Sequence, residues 1–364
     1  MKRIFKSFVV FVLLLNIMTP IRAIQNSAFY VYSSNTSEFD EYAQEKLDIH
    51  IYTFYGNVDN TLKLGKGIQV YGDISNPLVV YPIWKNNEIV ATFKVVYSNG
   101  VFSGSYSEGN ATQLNFAKDI TTKNNPLKLF VYENQFLYSV GNTVYDATSG
   151  EGLIVSDVNI YELKLENETI IDVSNTLEYQ NIKNSKAADS WNLYWTTPEH
   201  NPSNLYSCYA YCLSALLKCS GYSEYTVSEV KNRVAQANGS SIHLAAASLV
   251  NLKNFLDNEG FDYDASSSEN GSLSSSQVVS IIYNNKKYIL TGLYNTNGNA
   301  TTPKHMGVIT GYTLFYGEYT YNMYDPQDKS PGGKVTVDAS TRTYTNSEGR
   351  TYVWNQGYVY NITR

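Results

Sequence analysis

Apolar and polar positions change their rhythm twice along this chain. After an apolar run from Phe8 to Met18, short blocks rich in β-branched and aromatic residues follow: Gly67-Ile-Gln-Val-Tyr-Gly-Asp73, Pro77-Leu-Val-Val-Tyr-Pro-Ile83, Glu88 to Tyr97 and Lys128 to Glu133. Such side chains suit a pleated surface, and Ser75-Asn76-Pro77, Asn86-Asn87, Ser98-Asn99-Gly100 and Asn124-Asn125-Pro126 supply turns between them. The pattern predicts strands, with a helix only over Ser37 to Lys46 and with His50 a structural residue in a strand-like run. Residues 173–190 lose the periodicity and read as a linker containing Lys183 and Lys186. Beyond it the spacing becomes helical. Thr226-Val-Ser-Glu229 forms a capping box ahead of Val230 and Val234, Leu244 to Leu256 makes another helix closed by Gly260, and Ser274 to Tyr283 a third. Strands return at Tyr288 to Tyr294, His305 to Tyr312 and Tyr319 to Asp325, with more ending near Tyr360. A helical half followed by an antiparallel β half predicts an α+β domain, placed behind a β-rich one.

The first residues decide the compartment. Lys2, Arg3 and Lys6 precede the apolar run and Thr19-Pro-Ile-Arg-Ala23 follows it, which is the order of a secretory signal peptide cut near Ala23. The run falls short of the ~20 residues a membrane span needs, so a secreted chain free of the membrane after cleavage is expected. With 27 Lys+Arg against 33 Asp+Glu and no basic stripe, nucleic acid is not an expected partner. Charged residues are only 16% and tyrosines number 33, a composition too aromatic and too charge-poor for a disordered chain. The expected organisation is a signal peptide at 1–23, a β-rich domain at 24–172, a linker at 173–190 and a second domain at 191–364.

All candidate chemistry falls in that last part. Ser207-Cys-Tyr-Ala-Tyr-Cys-Leu-Ser-Ala-Leu-Leu-Lys-Cys219 is an apolar helical run that follows the loop-forming Asn201-Pro-Ser-Asn204. Cys208, Cys212 and Cys219 share one helix face, but only Cys208 occupies the first turn, where free N–H groups and the helix dipole stabilise a thiolate. The other two read as core. Cys-x3-Cys-x6-Cys lacks the paired spacing of a zinc site, and no metal or cofactor is expected. A thiol nucleophile needs a base, and a hairpin centred on Phe315 sets His305 opposite Asp325. Opposed Cβ atoms lie about 4.5–5.5 Å apart, close enough for a carboxylate to fix the imidazole tautomer. Cys208, His305 and Asp325 therefore follow the triad logic of a thiol hydrolase, while His200 and His243 are rival bases without an opposed carboxylate.

Cys208-Tyr-Ala-Tyr-Cys-Leu-Ser-Ala-Leu-Leu217, His305-Met-Gly-Val-Ile-Thr-Gly311 and Tyr324-Asp-Pro326 together resemble the papain-like cysteine peptidases of the staphopain group. The resemblance covers roughly residues 190–364. It implies a papain-like domain, a secreted bacterial zymogen, a peptide or protein substrate, and a first domain acting as an intramolecular inhibitor until it is cut away. Two positions depart from the family pattern. Asp325 stands where the family has Asn, and Pro202 stands where it has the glutamine that donates to the oxyanion, leaving Asn201 or Asn204 as substitute donors. Two other readings accompany this one: a cell-wall peptide hydrolase or acyltransferase with the same triad, and a non-catalytic secreted binding protein.

Overall fold

The computed structural model describes residues 28–57, 59–72, 76–132, 135–147, 167–177, 189–193, 207–239, 247–266, 271–296 and 305–364. The expected signal peptide lies outside these residues, as do Asn201, Pro202, Asn204, His200, His243, Lys183 and Lys186.

The blocks of β-branched and aromatic residues form the strands they predict. The first unit contains β1 (Tyr30–Ser33), β2 (Lys63–Gly65), β3 (Ile68–Gly72), β4 (Leu78–Lys85), β5 (Glu88–Ser98), β6 (Val101–Ser107), β7 (Leu127–Tyr132), β8 (Gln135–Val140), β9 (Thr143–Asp146), β10 (Thr169–Asp172) and β11 (Thr176–Leu177). They join in one eleven-stranded mixed sheet, in which β7 runs parallel to both β1 and β3. Asn86-Asn87 and Asn99-Gly100 turn the hairpins β4–β5 and β5–β6, and all four residues have positive φ, as a two-residue turn matched to strand twist requires. Strand β4 is buried on both faces. Leu78 and Val80 pack towards helix α2 (Ala111–Ile120), whereas Val79, Tyr81 and Ile83 pack towards helix α1 (Ser37–Tyr55).

Helix α1 runs nine residues past its expected end at Lys46, carrying His50 on a helix rather than a strand. Ile49 to Tyr55 has strand-like side chains, but Ala43, Leu47, His50, Ile51 and Phe54 all become buried, and that is a helical stripe. Gly56, at φ 77°, ends it by donating its N–H to the Tyr52 carbonyl at 2.7 Å. Helix α2 was not expected at all.

In the second unit β12 (Asp189–Asn192) precedes three helices, α3 (Cys208–Cys219), α4 (Val227–Asn238) and α5 (Leu249–Asn258), followed by β13 (Asp262–Ser266) and the short α6 (Ser275–Val279). Then come β14 (Ile289–Asn295), β15 (His305–Phe315), β16 (Glu318–Tyr324), β17 (Lys334–Asp338), β18 (Thr343–Thr345) and β19 (Thr351–Thr363). Thr226, Ser248 and Ser274 cap α4, α5 and α6 with their hydroxyls. Each strand from β14 to β19 pairs antiparallel with the next, and β19 pairs back to β14, so the six close into a barrel with β12 and β13 attached outside.

The expected α+β division into a helical half and an antiparallel half, as in a papain-like domain, is therefore corrected. Of the described residues, 43% are strand and 28% helix, and the helices do not make a half of their own. Cys212, Leu216, Val230, Leu252 and Phe255 of α3–α5 share one apolar cluster with Met306, Val308, Tyr324, Val359 and Ile362 of the barrel strands. The helices are short amphipathic pieces whose apolar faces find burial against one wall of a closed sheet.

The expected linker is described only at its ends. Thr176–Leu177 pairs with β2, and Asp189–Asn192 pairs with β15, so each end is fastened to its own unit. The units also touch directly. His50 Nδ1 of α1 lies 2.6 Å from Thr336 Oγ1 of β17, Tyr42 donates to Asp338 at 2.7 Å, and Ser105 of β6 exchanges hydrogen bonds with Thr345 at 3.0 Å.

Candidate active site

Helix α3 begins at Cys208, after Ser207 at its N-cap position, with a run that is apolar at helical spacing. Ser207 makes no side-chain cap and its carbonyl accepts the Ala210 N–H at 2.9 Å, which places Cys208 in the first turn of α3, at the end whose dipole favours negative charge. Further along the helix Cys212 donates its thiol to the Met306 carbonyl at 3.3 Å, which ties α3 to β15 one residue past His305. Burial pushes the Cys212 thiol well above its ordinary range, with the neighbouring Cys208 and Asp325 adding to the shift. That thiol is held protonated and structural. Cys219 is partly buried against the same core and hydrogen-bonds Tyr288.

His305 opens β15 and is 2% exposed. Its Nε2 lies 2.7 Å from Asp325 Oδ1, and the Cys208 thiol is within hydrogen-bonding and Coulombic reach of the same ring. With Nε2 committed to Asp325, Nδ1 is the nitrogen left to meet the thiol. The structure thus brings together Cys208 from a helix start, His305 from a strand start and Asp325 from the loop after β16.

The expected register is not how they meet. Phe315 pairs with Glu318 across a two-residue turn of Tyr316 and Gly317, at φ 48° and 87°, and a bulge at Thr310 then shifts the pairing to Ile309–Met323 and Val308–Tyr324. Ladder pairing stops there, so His305 and Asp325 are not opposed partners. Asp325 reaches the imidazole because the chain leaves the strand in a tight loop, with the Asp325 N–H donating to Gly333 at 2.8 Å and the Asp328 N–H to the Asp325 carbonyl at 3.1 Å.

Asp325 is fully buried and fully used. Oδ1 also accepts the Gln327 N–H at 2.8 Å, and Oδ2 accepts the Tyr344 hydroxyl at 3.0 Å and Asn346 Nδ2 at 3.4 Å. Burial pushes this carboxyl up, but the facing imidazolium and the donated hydrogen bonds outweigh it and hold the pKa below the ordinary carboxylate value. Burial likewise pushes His305 down, yet the charges of Asp325 and Cys208, with hydrogen bonds to both, carry it well above its ordinary range. Tyr352 completes the setting. Its ring covers the imidazole with centroids 4.4 Å apart, and its hydroxyl donates to Gln327 at 3.2 Å. A cation on an aromatic face gains about 0.5–2 kcal/mol, so this ring too favours the imidazolium.

Gln327, Tyr344, Asn346 and Tyr352 were missed by the sequence reading. Among 33 tyrosines none stands out, and only the tight Asp-Pro-Gln-Asp turn at 325–328 gave a local sign of a constrained loop. A cavity of about 40 Å³ adjoins His305, bordered by Ser248, Leu249, Val250, Gly292, Met306 and Gln356. Gly292 is required there, since a Cβ would lie 2.9 Å from both the Gln356 carbonyl oxygen and Leu249 Cδ1. Among the described residues no group of three or more His, Cys, Asp or Glu is arranged to hold a metal ion. No protein-family model matches the chain, and no curated protein matches it either.

Proposed function

We propose that this protein is a thiol hydrolase acting on peptide bonds through Cys208, His305 and Asp325. The observation that carries the reading is the shared imidazole, which meets a helix-start thiol on one side and a buried, fourfold hydrogen-bonded carboxylate on the other. Such a ring accepts the thiol proton and stays charged, giving an imidazolium–thiolate pair. Cys208 Sγ attacks the scissile carbonyl carbon, and the C–N bond breaks as the His305 imidazolium delivers its proton to the leaving amine. The acyl-thioester is then opened by a water whose proton returns to His305, restoring the pair. Asp325 holds the ring and its tautomer throughout, without itself taking the proton. The Cys208 backbone N–H, in the first turn of α3, is one donor to the oxyanion. The similarity of the segments around Cys208 and His305 to staphopain-type peptidases supports a secreted peptidase, and the leader-like residues 1–23 support export. The chemistry needs no cofactor.

The test is hydrolysis of casein by residues 24–364 and by its Cys208→Ala variant. Cleavage by the first and none by the second is expected. Equal rates would remove Cys208 from the mechanism, and activity on peptidoglycan with none on casein would move the substrate to cell-wall peptide.

A further inference from the structure

The loop that carries Asp325 is not held by its own unit alone. Asp328, three residues on, is fully buried and uses both carboxylate oxygens. Oδ1 accepts the Ser330 N–H at 2.9 Å and the hydroxyl of Ser107, from β6 of the first unit, at 2.6 Å; Oδ2 accepts the Ser347 N–H at 2.8 Å. Ser107 in turn accepts the Gly109 N–H at 3.0 Å, and Asn110 Nδ2 donates to the Ser347 carbonyl at 2.7 Å. The backbones approach so closely that a Cβ on Gly109 would lie 2.6 Å from Ser347 Cβ and 2.9 Å from Asp328 Oδ1.

A second strand adds charge. Lys94 of β5 is fully buried, donates to Thr92 at 3.1 Å, and faces Asp328 within Coulombic range. Burial pushes this ammonium down to about 8 and Asp328 is what opposes the fall. Ser105 grips Thr345, the residue between Tyr344 and Asn346, and both of those donate to Asp325 Oδ2. Residues 105–110 of the first unit thus hold the two loops that deliver Asp325 and its hydrogen-bond donors.

We propose that the first unit is a lasting component of the working site, and that Ser107 is a positioning residue that fixes the Asp325 loop through Asp328 across the interface between units. The inference rests on the triad reading above and changes one expectation drawn from the sequence. A domain that only covered a cleft would be dispensable once cut away. A domain that clamps the loops behind His305 is not.

The experiment compares Ser107→Ala with Ser103→Ala in the full chain. Ser103 donates to Thr341 at 2.7 Å, so it belongs to the same interface but holds a turn away from the Asp325 loop. Each change removes a single hydroxyl. The readouts are the pH titration of the His305 ring Hε1 resonance, one of four histidines and assigned by its loss in His305→Gln, and the separate kcat and KM for a peptide substrate. Ser107→Ala is expected to lower the His305 midpoint by about one pH unit and kcat by about tenfold, with KM within about twofold, because a small misplacement of the orienting group costs rate rather than binding. Ser103→Ala is expected to leave the midpoint and kcat where they are. The proposal is overturned if both variants titrate like the parent, or if both shift alike, which is what a merely structural interface gives. Because the titration needs no turnover, a parent chain that titrates as described but fails to cleave casein refutes the peptidase reading and leaves this test intact.

Discussion

Replacing Asp325 separates its charge from its shape. Asn at this position keeps an oxygen for His305 Nε2 and the Gln327 N–H, at 2.7 and 2.8 Å in the parent, but sets an NH2 against Tyr344 and Asn346. The Tyr344 hydroxyl can turn to accept. Asn346 Nδ2 cannot, and at 3.4 Å that donor–donor contact is a weak repulsion. What is fully lost is the negative charge beside a buried imidazole. An opposite charge at this range moves a pKa by about one to three pH units, or about 1.4–4 kcal/mol on the imidazolium. Asp325→Asn is therefore expected to retain hydrolysis within about tenfold of the parent at neutral pH, while the alkaline limb of the kcat/KM profile moves down by one or more pH units. Asp325→Ala removes the acceptor as well and leaves buried donors unpaired, at about 1–3 kcal/mol each, so it is expected to lose about a hundredfold or more in rate and to unfold at lower temperature. The assay is a pH–rate profile from pH 5 to 11 with a fluorogenic peptide, alongside thermal melts. An Asp325→Ala enzyme as fast as the parent, or an Asp325→Asn profile with an unmoved alkaline limb, would falsify the orienting role.

Three further outcomes are expected. Cys208→Ala abolishes turnover, whereas Cys212→Ala retains it and loses about 1–2 kcal/mol of stability, since a small buried side chain and its 3.3 Å bond to Met306 disappear; urea melts with residual activity compare the two. Tyr344→Phe removes one donor to Asp325, with a cost near 1 kcal/mol in melts and a few-fold drop in kcat; a Phe variant identical to the parent in both would show that this hydroxyl does not support the carboxylate. The pH dependence of stability should carry opposite signatures from two buried histidines. His50 is lowered to about 4 by burial, so it contributes stability above its ordinary 6.5 that is lost as the pH falls towards 4, at most about 3 kcal/mol. His305 is raised, so its contribution is present below 6.5 and is lost as the pH rises through its folded value. His50→Gln should flatten only the acid side, and His305→Gln only the alkaline side, of a plot of denaturant midpoint against pH.

The three groups of the site were legible in the sequence because each depends on local context. Cys208 follows loop-forming residues and starts an apolar helical run, His305 starts a strand, and Asp325 ends the next one before a proline. Their meeting was inferred from a hairpin register that the bulge at Thr310 alters, and a bulge leaves no mark on apolar alternation. The contact survives because side chains and a tight loop, rather than ladder opposition, bring the groups together. The closed barrel was not legible. Closure depends on β14 pairing with β19 across more than fifty residues, and nothing in either strand's alternation names its second partner. For the same reason the short amphipathic helices α3, α4 and α5 looked like a half of their own, when their apolar stripes are shared with a barrel wall. In α1 the failure was one of propensity. Ile49, Ile51 and Thr53 favour strands, and burial against Tyr81, Phe93 and Tyr106 outweighs that preference.

The chemistry of the interface between units bears on how the site is maintained. Its described contacts are rich in buried hydroxyls and amides: His50 to Thr336, Tyr106 N–H to Thr336 Oγ1 at 2.8 Å, Asn322 Nδ2 to the Thr53 carbonyl at 2.5 Å, Ser107 to Asp328. Such bonds add little net free energy over those with water, about 0.5–1.5 kcal/mol each, but a mismatched register would bury the same groups unpaired. The interface therefore selects one geometry more strongly than it holds the units together. Among its contacts the Lys46–Glu318 pair is exposed at the glutamate and is the one most open to screening by salt, whereas Lys94 and Asp328 are buried and screened little. Added salt should then alter the affinity between units slightly while leaving the loop geometry behind His305 unchanged. A fold in which the more distant unit specifies orientation, and the chain connection keeps that unit at high local concentration, makes a precise carboxylate out of a loop that its own barrel holds by only part of its hydrogen bonds.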